Sequence, residues 1–147
     1  MTKRKKFHCL AFILIALSVS CTTRENKYSN TLSGEWQIEK LLHGKKDYSS
    51  DETYIMSFDS PNELWVHNYS HNKKVSLTSK YRISQNAGVY VMDITECNDE
   101  NINGNYNIHI DTIQDDGESY LIRLILDSEK TYIQAKRFKL KQYLPPN

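Results

Sequence analysis

Lys74-Val75-Ser76-Leu77-Thr78-Ser79-Lys80-Tyr81-Arg82-Ile83-Ser84 is the stretch on which the fold turns. Val75, Leu77, Tyr81 and Ile83 share one parity; Lys74, Ser76, Thr78, Lys80, Arg82 and Ser84 share the other. Successive side chains on a pleated strand point to opposite faces, so a period of two with one apolar side predicts a half-buried antiparallel strand. Residues 105–112 repeat the pattern, with Tyr106, Ile108 and Ile110 set against Asn105, Asn107, His109 and Asp111. In 119–127, Tyr120, Ile122, Leu124 and Leu126 lie on one face, while Leu121 and Ile125 make the other apolar as well. That strand is expected to be covered on both sides.

Further strands are expected at 34–42, 53–58, 63–69, 88–95 and 130–140, with at most a short turn in 45–52. Turn-forming residues separate them: His43-Gly44, Ser60-Pro61-Asn62, Asn86-Ala87-Gly88, Asn103-Gly104-Asn105, Asp115-Asp116-Gly117 and Asp127-Ser128. Short links between consecutive strands favour an up-and-down meander. Eight strands in roughly 110 residues are what a small closed barrel needs, and closure removes exposed edges. The fold class is therefore all-β, an eight-stranded antiparallel up-and-down barrel over 32–143, with a β-sandwich as the alternative.

The chain opens differently. Lys3-Arg4-Lys5-Lys6 precedes an apolar run of about 11 residues from Cys9 to Val19, short of the roughly 20 that span a bilayer as a helix. A basic start, a short apolar core and small residues behind it describe a secretory signal over 1–20. Ser18-Val19-Ser20-Cys21 resembles the lipobox of bacterial lipoproteins, with Leu17 one step early. The resemblance implies that Cys21 becomes the acylated first residue. An ordinary signal peptide cut at the same place would leave a soluble protein, but with a free cysteine at its new amino terminus. Residues 21–31 are polar and aperiodic and read as that cysteine and its tether. The tail 144–147, with Pro145-Pro146, cannot extend a ladder.

Processing changes the charge balance. Four of the 19 Lys and Arg and none of the 18 Asp and Glu lie in 1–20, so the mature chain carries 15 against 18, net −3. That offers no basic footprint for nucleic acid. It also leaves Cys97 as the one thiol beside Cys21, so no internal disulfide is expected, and a length of 147 residues suits one domain.

Leu32-Ser33-Gly34-Glu35-Trp36-Gln37-Ile38 carries a Gly-x-Trp at the start of the first strand, and Arg137 stands in the last. This arrangement resembles the lipocalins, closest to the small lipocalin-like lipoproteins of Bacteroidetes. The resemblance implies that Trp36 plugs the closed end of the barrel and that Arg137 packs across it, both as structural residues. A guanidinium over an indole gains roughly 0.5–2 kcal/mol. Gln114-Asp115-Asp116-Gly117 stands where that family carries its second, Thr-Asp-Tyr-type turn.

Candidate chemistry is sparse. Asp99-Glu100-Asn101-Ile102-Asn103-Gly104 partly fits a calcium loop, but Ile110 occupies the place of the closing bidentate Glu, so a polar hairpin loop is the better reading. His43, His67, His71 and His109 form no zinc-type spacing, and no metal or cofactor is implied. The pairs Asp51-Glu52, Asp99-Glu100 and Asp115-Asp116 fall in loops, and no nucleophile elbow or phosphate loop occurs, so an enzyme is not expected. Seven of the ten tyrosines fall on strands, where they either pack half-exposed sheet or line an amphipathic cavity.

Together these features predict a lipid-anchored envelope protein, preferably at the outer membrane because Thr22 and Thr23 carry no retention cue. Its barrel would bind a small apolar or amphipathic ligand near Trp65, Tyr81, Tyr106, Tyr120 and Leu124. The alternative is a protein-interaction module with a filled barrel, which large inward residues such as Ile108, Leu124 and Phe138 would favour.

Overall fold

The computed structural model describes residues 30–140 except 51, 61, 71 and 72. The stretch read as a signal, 1–20, Cys21 with most of the expected tether, and the tail 144–147 lie outside the described residues. The described residues from Ser33 onward form one compact unit, and 30–32 make a single helical turn.

The strands are β1 (Gly34–His43), β2 (Lys46–Asp47), β3 (Thr53–Ser60), β4 (Glu63–Ser70), β5 (Lys73–Asn86), β6 (Val89–Thr95), β7 (Gly104–Asp115), β8 (Ser119–Asp127) and β9 (Thr131–Leu140). From β3 to β9 each strand pairs antiparallel with the next, and β1 pairs with both β3 and β9. Leu41 lies opposite Ile133, and Trp36 opposite Met56, so the sheet closes on itself as an eight-stranded up-and-down barrel. That closure excludes the sandwich. β2 is a two-residue ribbon on the end of β1, where only a turn was expected.

The alternation that suggested β5 is visible in its burial. Ser79 and Tyr81 are buried, whereas 76, 78, 80, 82 and 84 are exposed. Inward residues of neighbouring strands then stack: Leu64 beside Ser79, Leu124 beside Ile110 and Ala135. Met56, Leu64, Met92, Ile94, Leu124 and Leu126 are at most 1% exposed and fill the middle of the barrel. Each such side chain contributes about 1.5–3 kcal/mol of transfer free energy. Phe138, expected inside, is 72% exposed. Thr131, Ile133 and Ala135 take the inward parity of β9, so the even positions face out.

One end is sealed. Trp36 is fully buried, the Arg137 guanidinium carbon sits 4.3 Å from its ring centroid, and Arg137 Nη1 donates to the Ser33 carbonyl. Gly34 takes φ +106°, and a Cβ there would lie 3.1 Å from Arg137 Nη1. The glycine thus serves both the backbone turn and the clearance that lets the guanidinium reach the indole.

Candidate binding cavity

At the opposite end β1 and β4 finish, β3, β5 and β9 begin, and the β6–β7 loop crosses. A cavity of about 380 Å³ lies among them, at the small end of ligand-pocket sizes, which run roughly 300–1,000 Å³. Leu41, Val66, Val75, Leu77 and Ile102 make its apolar wall. The pleat accounts for this: Val66 lies opposite Leu77 and Asn68 opposite Val75, all on the inward parity of β4 and β5.

The β6–β7 loop is fastened over the cavity. The Asn103 side chain clamps its base, accepting from Cys97 N and donating to Cys97 O, both at 2.9 Å. Asp99 accepts at Oδ1 from Asn101 N and at its carbonyl from Ile102 N. Two successive carbonyls are then held from below: Thr131 Oγ1 donates to Asn101 O at 2.9 Å, and Tyr106 Oη donates to Ile102 O at 2.7 Å. Burial pushes the Tyr106 hydroxyl up to about 12, so it stays a donor at any ordinary pH. These internal bonds occupy Asp99 Oδ1 and the Asn103 side chain, two groups that a calcium loop would turn toward a cation. Among the described residues no group of three or more His, Cys, Asp or Glu is placed to hold a metal.

A second polar knot stands on the other wall. Glu52 Oε2 accepts from Tyr54 Oη at 2.6 Å and from Asn68 Nδ2 at 2.5 Å. Those two donors hold the Glu52 carboxyl below its ordinary range. Burial and the same carboxylate drive the Tyr54 hydroxyl well above the ordinary tyrosine value. Asn68 Oδ1, by contrast, is buried and finds no hydrogen-bond partner among the described residues. His43 Nδ1 lies 2.8 Å from Thr131 Oγ1. Because Thr131 gives its one proton to Asn101 O, the imidazole Nδ1 is the donor in that pair and Nε2 is left as an acceptor in the neutral ring. Asp99 and Glu100 add carboxylates to the lining, which among the described residues contains no Lys or Arg.

None of the five residues read from sequence as ligand contacts lines this cavity. Tyr81 is buried edge-on against Phe58, with centroids 5.2 Å apart. Leu124 belongs to the packed middle, and Tyr106 carries the loop. Tyr120 is half-buried within electrostatic reach of Arg137, at the sealed end. Trp65 lies on the outer parity of β4, stacked on His67, beside a shallow depression it shares with Glu63 and the Lys80–Glu96 ion pair. Trp36 and Arg137 stand where the sequence resemblance put them. Cys97 is buried, which raises its thiol pKa, the opposite of an activated nucleophile. Sequence reasoning did not assign Asn68, Thr131 or the loop residues 98–102 to a binding site, and Tyr54 was only one of seven strand tyrosines read as either packed or cavity-lining. The available signal was Asn68, which continues the parity of Leu64 and Val66.

No family model, curated protein or solved structure matches this chain.

Proposed function

We propose that this protein binds a small apolar or amphipathic molecule in the cavity beneath the 98–102 loop, and that it works as a lipid-anchored, lipocalin-like protein of the bacterial cell envelope. The observation that carries the binding reading is local. A barrel packed solid through its middle and sealed at the Trp36 end keeps about 380 Å³ at the other end, lined by both apolar and polar side chains. A ligand hiding roughly 200 Å² of apolar surface there gains about 5 kcal/mol before the costs of immobilisation. The anchoring reading rests on the signal-like 1–20 and the lipobox-like approach to Cys21.

Native mass spectrometry of the protein purified from its own host tests the first part: a co-purifying small molecule supports it. A bare barrel with a stoichiometric polypeptide companion supports the second reading, a protein-interaction module, which the fully buried middle layer favours. Intact mass tests the anchor. A chain starting at Cys21 with a fatty adduct, lost in Cys21→Ala, supports it, and an unmodified chain refutes it.

A further inference from the structure

We infer that the cavity selects ligands with a cationic, hydrogen-bond-donating head, a protonated amine on an apolar body. This rests on the cavity being the binding site and concerns what it prefers. The inference follows from counting protons. Tyr54 gives its proton to Glu52, Thr131 gives its proton to Asn101 O, and one Asn68 amide proton also goes to Glu52. What these groups leave beside the cavity is acceptor capacity, above all at Asn68, a lining residue whose Oδ1 finds no partner among the described residues. A carbonyl oxygen left without a partner keeps its full desolvation penalty, so a donor brought to it is bound with more than an ordinary gain.

Charge points the same way. Asp99 and Glu100 line the cavity, and Glu52 stands behind Tyr54 and Asn68. Lys46, with Nζ 4.3 Å from the centre of the Tyr48 ring, attracts Glu52 but is not part of the lining. Asn98 and Asn101 contribute amides that can both donate and accept. A carboxylate head would therefore meet like charge, and an alcohol would satisfy one acceptor without using the field. An ammonium offers three donors and a charge, and charge-assisted bonds are about twice as strong as neutral ones. The apolar wall of Leu41, Val66, Val75, Leu77 and Ile102 receives the tail.

Three probes of equal tail length separate head from body: hexylamine, 1-hexanol and hexanoate. Each is titrated calorimetrically into the full chain in detergent at pH 7, with protein-free detergent as the blank. The expected order is amine, alcohol, carboxylate, with the amine at least tenfold tighter than the alcohol. Glu100→Gln, a loop change, should cut the amine's advantage over 1-hexanol severalfold. Binding of 1-hexanol or hexanoate as tight as that of the amine overturns the head-group preference and leaves the cavity as a binding site. So does a Glu100→Gln chain whose amine-to-alcohol ratio is unchanged. Failure of all three probes to bind overturns the cavity reading itself, and the preference with it.

Discussion

Replacing Gly34 with alanine tests the seal at the Trp36 end through two separable costs. The first is backbone. At φ +106° an L-residue is in a sparsely populated region, and holding it there costs of order 1–3 kcal/mol. The second is steric. The new methyl would sit 3.1 Å from Arg137 Nη1, so the guanidinium must withdraw from the indole and from the Ser33 carbonyl. Partial loss of a cation–π contact worth about 0.5–2 kcal/mol and of a charged hydrogen bond worth about 1.5–3 kcal/mol adds at least about 1 kcal/mol. Gly34→Ala should therefore destabilise by about 2–4 kcal/mol, lowering the urea midpoint by roughly 1–2 M at unchanged m-value. Urea unfolding followed by tryptophan fluorescence is the assay. Gly117→Ala serves as the control, because Gly117 has φ +92° but nothing within 4 Å of its would-be methyl. It should show the backbone cost alone. In an Arg137→Ala background the steric part of the Gly34 change should vanish, giving a coupling of about 1 kcal/mol or more in the double-mutant cycle. A Gly34→Ala protein within 0.5 kcal/mol of the parent, or a cycle with no coupling, refutes the account.

Three further outcomes are expected. Ala87 sits at φ +48° in the two-residue turn joining β5 to β6, with Gly88 at φ +86°; Ala87→Asn, which tolerates that conformation, should stabilise by about 0.5–1 kcal/mol in thermal or urea unfolding. Tyr106→Phe removes the donor to the buried Ile102 carbonyl and should cost about 1–3 kcal/mol, with faster amide exchange confined to the 98–103 loop as the local signature. Arg123 holds the Asp111 carboxyl below its usual range, and Lys136 does the same for Glu39. A lowered native value means that the unfolded chain binds more protons, so stability should be level above about pH 5 and fall as pH drops below about 4. Asp111→Asn should flatten part of that acid slope, and an urea midpoint unchanged from pH 7 to pH 3 would contradict it.

Much of the barrel could be read from the sequence because in most strands parity and apolarity coincide. In β5 and β7 one parity is apolar and the other polar, so direction, face and partner order followed together. The Gly34-x-Trp36 opening and Arg137 were equally readable, since their roles need only the two ends of the sheet to meet. β4 defeated the same rule. Leu64 and Val66 alternate with Trp65, His67 and Tyr69, so both faces carry large rings or aliphatic chains, and Trp65 reads as a ligand contact although it stacks outside. The β9 tail failed similarly, with Phe138 outward after Arg137 took the inward place. The cavity was hidden for a deeper reason. Its polar bonds join residues far apart in the chain, such as His43 with Thr131 and Glu52 with Asn68, and these meet only after the register is set.

Ser79 and Asn68 show what register adds. Each is a polar residue on an inward parity, and from sequence alone the two are indistinguishable as flaws in an apolar stripe. Across the ladder Ser79 faces Leu64, whose carbonyl accepts its hydroxyl at 3.2 Å, so Ser79 is satisfied by the fold and disappears into the core. Asn68 faces Val75, a side chain with nothing to donate, and only its nitrogen finds a partner, in Glu52. Its oxygen is left over beside the cavity. An inward polar residue is thus a structural detail when its cross-strand neighbour completes its hydrogen bonds, and is left available for the recognition proposed for Asn68 when that neighbour cannot. Asn68→Leu separates the two uses: it should spare the barrel by removing both halves of an incompletely bonded amide, while weakening amine binding more than alcohol binding. A large loss of stability with the head-group preference unchanged in the folded protein would show that Asn68 belongs to the core after all.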